Sequence, residues 1–262
     1  MGLIKDLYRN KGIILNLAKN DFKNRFAGSY LGVFWAFVQP VVTVSIYWFV
    51  FEKGFKSAPM NDFPYLLWLI AGICPWLFFN DALNSASNSF NEYSYIVKKV
   101  VFKVSVLPVV KIISATFVHC FFIALVALIY VLYGNAPTVY YIQMLYYSLC
   151  VFALTLGIAY LTASISVFFK DLTQIVSIVL QFGMWLTPIM YTETMFPEKF
   201  RFIVKFNPMY YIVEGYRDSI IRGVGFWHHP KLTIYFWLFV IVCFLLGGAV
   251  FKKLKPHFAD VL

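Results

Sequence analysis

IISATFVHCFFIALVALIYVLY, residues 112–133, runs for 22 residues without Asp, Glu, Lys or Arg. As an α-helix it is about 33 Å long, enough to cross a hydrocarbon layer of roughly 30 Å. Residues 31–51, 63–80, 143–169, 172–192 and 232–251 are likewise free of charge. Lipid offers the backbone no hydrogen-bond partner, so each segment must satisfy its own N–H and C=O groups. A membrane barrel would show alternating strands of about 10 residues, whereas these runs are continuous. The pattern predicts an all-α polytopic membrane protein with six transmembrane helices. Composition agrees: 61% of the 262 residues are hydrophobic and 13% are charged, where a soluble domain carries about 25% charged residues.

Orientation follows from the basic residues. Lys5, Arg9, Lys11, Lys19, Lys23 and Arg25 precede the first span, with no early apolar core of a cleaved signal peptide. They share a side with Lys98, Lys99, Lys103, Lys170, Lys252, Lys253 and Lys255. The opposite side holds Lys53, Lys56, Lys199, Arg201, Lys205, Arg217 and Arg222, with Lys111 and Lys231 at span margins. The first set is larger, so both termini are expected in the cytoplasm. A net charge of +10 in such a chain sets topology and lipid contact, and does not imply nucleic acid.

Three stretches outside the spans stand out. On a helical wheel over 13–26, Ile14, Leu15, Ala18, Phe22 and Phe26 share one arc, opposite Asn16, Lys19, Asn20, Lys23 and Asn24. This predicts an amphipathic interfacial helix. Residues 88–104 mix aromatic, apolar and basic side chains and suit a short cytoplasmic helix that fits a groove on another protein. Residues 193–230 are too apolar for a solvated loop and too charged for a full span, so a re-entrant helical pair is expected before the last span. There, Pro208 opens a helix on which Glu214, Arg217 and Asp218 fall at i, i+3 and i+4, placed to support the pair by ion pairing. Pro40, Pro75 and Pro188 lie within predicted spans as candidate kinks.

Catalytic and cofactor signals are sparse. There is no G-x-x-x-x-G-K-[ST] loop, so nucleotide hydrolysis by that route is excluded. His119, His228, His229 and His257 lack the carboxylate spacing of a metal or triad site. Cys74, Cys120, Cys150 and Cys243 fall inside spans and read as apolar packing residues. The chain reads as a non-enzyme with no metal or cofactor of its own. A membrane transferase would need clustered acids or histidines, and a drug exporter of the same architecture remains an alternative.

NRFAGSYLGVFWAFVQP at 24–40, WLTPIMY at 185–191 and NPMYYIVEGYRDSIIRG at 207–223 resemble, in order and spacing, the first span, fifth span and extracellular re-entrant helices of ABC-2 type exporter permeases. Within that family IYWFVF at 46–51, NPMYYIVEGYR at 207–217 and HFADVL at 257–262 are most similar to the wall teichoic acid branch, with O-antigen permeases next. The resemblance implies a single domain over 1–262. It comprises an interfacial helix in 1–30, spans one to five in 31–192, the re-entrant segment in 193–230, and span six with a cytoplasmic tail in 231–262. It further implies a homodimer in the plasma membrane of a Gram-positive bacterium. Two copies of a separate ATPase subunit, which binds ATP and Mg, would drive export of an undecaprenyl-diphosphate-linked polymer. On that picture Lys23, Arg25, Tyr30, Trp35 and Phe37 are the expected substrate contacts. Phe90, Tyr93, Tyr95, Lys98, Lys99, Lys170 and Asp171 are the expected contacts of the ATPase.

Overall fold

The computed structural model describes residues 10–60, 63–98 and 104–262. Expectations for Lys5, Arg9, Lys99 and Lys103 lie outside them. Helix α1 (Lys11–Asn24) leads through a 3-10 turn into α2 (Trp35–Tyr47), which ends in a π-helical turn, Trp48–Gly54. Then come α3 (Tyr65–Ser87), two short helices α4 (Ser89–Glu92) and α5 (Ser94–Lys98), and the long α6 (Leu107–Leu132) and α7 (Gln143–Ser166). The chain continues through α8 (Leu172–Leu186), α9 (Arg201–Phe206), α10 (Pro208–Arg217), α11 (Pro230–Leu254) and α12 (Phe258–Val261).

Among the described residues, five helical stretches are long and apolar enough to cross a membrane: Gly32–Gly54, Tyr65–Ser87, Val104–Leu132, Val139–Ser166 and Pro230–His257. The expected fifth span, 172–192, is the exception. Its helix stops at Leu186 after 15 residues, or about 22 Å. Thr187 turns extended, at φ −87 and ψ 130, because the following Pro188 disfavours helical geometry in the residue before it. Pro40 and Pro75 lie inside α2 and α3 as expected, whereas Pro188 lies beyond α8 rather than within a span.

Helix α3 is the hub. Of its most apolar 18-residue stretch 83% is buried, against 17% for the first and last spans. It packs on α6, α7, α8 and α10. In lipid no hydrophobic force drives helices together, so close packing and hydrogen bonds must do so. Both are present. Tyr130 Oη donates to the Leu67 carbonyl at 2.7 Å and Ser166 Oγ to the Ser87 carbonyl at 2.8 Å. Ser177 Oγ donates to Asn84 Oδ1 at 2.8 Å. Each such bond between membrane helices contributes about 0.6–2 kcal/mol.

Helices α1, α4, α5 and α12 gather at one end of the bundle, which therefore carries both termini of the described chain; the 193–229 segment covers the far end. At the terminal end Phe258, 1% exposed, closes a second small core with Phe90, Val97, Val104, Leu107, Ala163 and Val167. The expected single helix at 88–104 is divided at Tyr93 into α4 and α5. On α1 the buried residues are Ile14, Ala18 and Asp21, while Leu15 is exposed, so the inner face is rotated from the purely apolar arc toward an acid. Helix α3 runs on to Ser87, past Asp81 and the charge-free run that ends at residue 80. Among the cysteines, Cys74 and Cys150 are buried as expected, but Cys120 is exposed on the surface of α6.

Helices α7 and α11 touch through glycines. A Cβ on Gly247 would lie 2.8 Å from the Gly157 carbonyl oxygen, whereas one on neighbouring Gly248 would meet nothing within 4 Å. Gly247→Leu should therefore force α11 off α7 and lower the thermal unfolding midpoint in detergent by several degrees, while Gly248→Leu leaves it nearly unchanged; equal effects at both positions would contradict this seam.

Candidate functional site

Two charge clusters, one at each end of the bundle, organise the functional residues. At the terminal end, Lys111 on α6 is buried rather than marginal. Its Nζ donates to Asp21 Oδ1 on α1 at 2.6 Å and pairs with Glu92 on α4. Tyr93 Oη donates to the same Asp21 oxygen at 2.8 Å. Arg25 bridges onward, with Nε 3.5 Å from Asp21 Oδ2 and Nη1 2.9 Å from Asp81 Oδ2 on α3. Burial pushes the Asp21 carboxyl up, but the hydrogen bond and charge of Lys111, with the Tyr93 hydroxyl, outweigh it and hold the acid below 3.8.

At the far end Arg217 is fully buried on α10. Its guanidinium carbon sits 3.3 Å from the centroid of the Trp68 ring. Nη1 donates to the Pro188 carbonyl at 2.7 Å and to Glu214 Oε1 at 2.6 Å, and Nη2 donates to the Ile189 carbonyl at 2.8 Å. Gly72 makes room for it, since a Cβ there would lie 2.7 Å from Nη2. The expected i, i+3 pair of Glu214 and Arg217 forms. Asp218 instead pairs with Arg222 at 2.7 Å and His229 at 3.2 Å, and Arg222 also reaches Glu214 at 2.7 Å. Pro208 stands at the start of α10, whose N-cap Asn207 accepts from the Met209 N–H at 3.0 Å.

The expected substrate contacts do not converge. Lys23 is exposed, Tyr30 is fully exposed and Trp35 points outward. Phe37 turns inward, its ring 4.8 Å from Phe121 and 6.3 Å from Phe22. Arg25 alone reaches an internal space, a cavity of about 350 Å³ between α2, α3 and α6. Arg25 and Asp81 line one end and His119 and Phe122 the other. Of the expected coupling residues, Phe90 is buried, Tyr93 joins the Asp21 cluster and Tyr95 is exposed. Lys98 ends α5, Lys99 lies outside the described residues, and Lys170 and Asp171 form the exposed turn before α8.

Sequence reasoning missed Asp21, Glu92 and Lys111. Lys111 was the available signal, a lone cation one turn inside an apolar helix. Among the described residues, no group of three or more His, Cys, Asp or Glu is placed to hold a metal. Ser148 Oγ lies 2.6 Å from Tyr216 Oη and 3.2 Å from His119 Nε2. Among the described residues no carboxylate completes a nucleophilic arrangement there, and the group joins α6, α7 and α10.

Removing a partner from a buried charge pair costs on the order of 3–5 kcal/mol, so Arg217→Met should sharply reduce the yield of folded protein. Arg217→Lys, which loses the planar fork, should fall between it and wild type. The Asp21 contribution is complete above its unfolded value of 3.8 and is lost as pH falls through the lower folded value. A thermal unfolding series in detergent should show an acid loss below about pH 4 that Asp21→Asn makes shallower.

A sequence profile of the family described as "ABC-2 type transporter" matches residues 14–221, from α1 through the end of α10. The O-antigen export system permease protein RfbA of Klebsiella pneumoniae is 28% identical over 253 residues, covering 95% of each chain. Its namesake from Myxococcus xanthus is 28% identical over 267 residues, covering 98% of each. The profile takes in the interfacial helix, the spans up to α8 and the buried α10 with its arginine cluster, and on that match the chain belongs to the ABC-2 type transporter family.

Proposed function

We propose that this chain is the non-catalytic membrane subunit of an ATP-driven exporter of lipid-linked polysaccharide, working as a homodimer with two copies of a separate ATPase in a bacterial cell membrane. The observation that carries the reading is similarity along nearly the whole chain to permeases named for O-antigen export. Those relatives favour the O-antigen type of cargo over the teichoic acid and Gram-positive setting expected from short sequence stretches.

The geometry supplies a route for the work. ATP and Mg belong to the partner subunit. Its closure would press on the terminal end, taken as cytoplasmic, at α4, α5 and the Lys170–Asp171 turn. From α4, Glu92 hands the displacement to Lys111 and Asp21, and so to α1. Arg25 at the end of α1 is latched to Asp81 on α3, next to the thinly packed α2. A push at the cytoplasmic end thereby shifts the first span against the hub. The outward apolar faces of α2 and α8, including Trp35, Ile46, Phe182 and Trp185, then provide the surfaces for the second copy and the polymer path between them.

Co-purification with the candidate ATPase from the same source, followed by ATP hydrolysis in liposomes, tests the proposal. A stable complex stimulated by lipid-linked polysaccharide and not by lipid-linked teichoic acid is expected; failure to bind any ATPase would remove the exporter reading. Arg25→Ala should lower the polymer-stimulated rate severalfold while the complex still assembles.

A further inference from the structure

The cavity between α2, α3 and α6 gathers polar side chains within the helical bundle: Gln39 and Thr43 on α2 and Asn80, Asp81 and Asn84 on α3, with Arg25 at the mouth. Polar groups at the depth of membrane-spanning helices are costly and mark pathways or binding sites, so this lining points to a polar guest.

Carboxamides face the same space. Asn80 Oδ1 accepts from Asn84 at 2.6 Å, while its Nδ2 has no protein partner among the described residues. Gln39 on α2 lines the cavity opposite and is exposed. Phe26 and Phe78 add flat apolar walls. Charge narrows the choice of guest. The cluster at the mouth sets Arg25 and Lys111 against Asp21, Asp81 and Glu92, so it has no spare positive charge for a diphosphate. Amides with aromatic walls match a neutral ring that has hydroxyls on its rim and C–H groups on its faces. The volume of about 350 Å³ lies at the low end of the roughly 300–1,000 Å³ typical of small-ligand sites.

We propose that this cavity binds a single neutral sugar unit of the exported glycan, bridging Gln39 on α2 to Asn80 on α3. The inference rests on the polysaccharide reading and names where one unit of that cargo is held. A bound ring ties the first span to the hub beside the Arg25–Asp81 latch, so the latch and the sugar report to the same pair of helices.

The test uses the full chain with its ATPase in nanodiscs, in a Cys120→Ser, Cys243→Ser background carrying Gln39→Cys. The probe is the glycan freed from its lipid by mild acid, and the readouts are maleimide labelling of Cys at position 39 and ATPase stimulation by the intact lipid-linked polymer. Severalfold slower labelling with the free glycan is expected. In separate chains with native cysteines, Gln39→Leu and Asn80→Leu should each raise the half-stimulating polymer concentration about tenfold, as expected for one lost hydrogen bond. Gln39 is exposed, so its variant folds even if the Asn80 variant does not. Labelling unaffected by glycan, or slowed only by phosphatidylglycerol vesicles, overturns the sugar site. Protection without stimulation leaves the site standing and removes export; stimulation without protection does the reverse.

Discussion

Arg217 is the constraint around which the far end is built. A guanidinium with no exposure to solvent must find acceptors inside the protein. It draws them from three places: the carbonyls of Pro188 and Ile189 after α8, the carboxylate of Glu214 on its own helix, and the face of Trp68 on α3. One side chain therefore holds the end of α8 that Pro188 imposes, and sets how deep α10 sits and which face of α3 it covers. The carbonyls freed beyond Thr187 find their donor in it and would otherwise be orphaned in an apolar setting.

Lys111 has a matching role at the opposite end, with a different consequence. It joins helices that are far apart in the chain, α1, α4 and α6, and Arg25 extends the same cluster to α3. The far cluster thus holds α10 against α3, and the near one holds the short helices of the terminal end against the long ones. The weakly packed first span lies between them, tied to the hub by Arg25 and Asp81.

The spans were legible because an uncharged run of about 20 residues carries its meaning without tertiary context. The Glu214–Arg217 pair was legible because i, i+3 neighbours on a helix meet whatever surrounds them. The end of α8 could have been read too, from the residue before Pro188. Lys111 with Asp21 was not, since the partners are separated by ninety positions in sequence and nothing local distinguishes Asp21 from a solvated acid in a basic helix. How the aromatic residues divide was not legible for a related reason: a wheel assigns faces within one helix, but not which face another helix will cover. Hence Tyr30 and Trp35 look outward while Phe37 packs on Phe121.

Phe258 gives the segment after α11 a structural task. It fills the centre of the small core that seats Phe90 and Val97, so α4 and α5 take their underside from a helix distant in sequence. A cavity opened at Phe258 would be felt first in those two short helices, with the Arg217 cluster at the far end untouched.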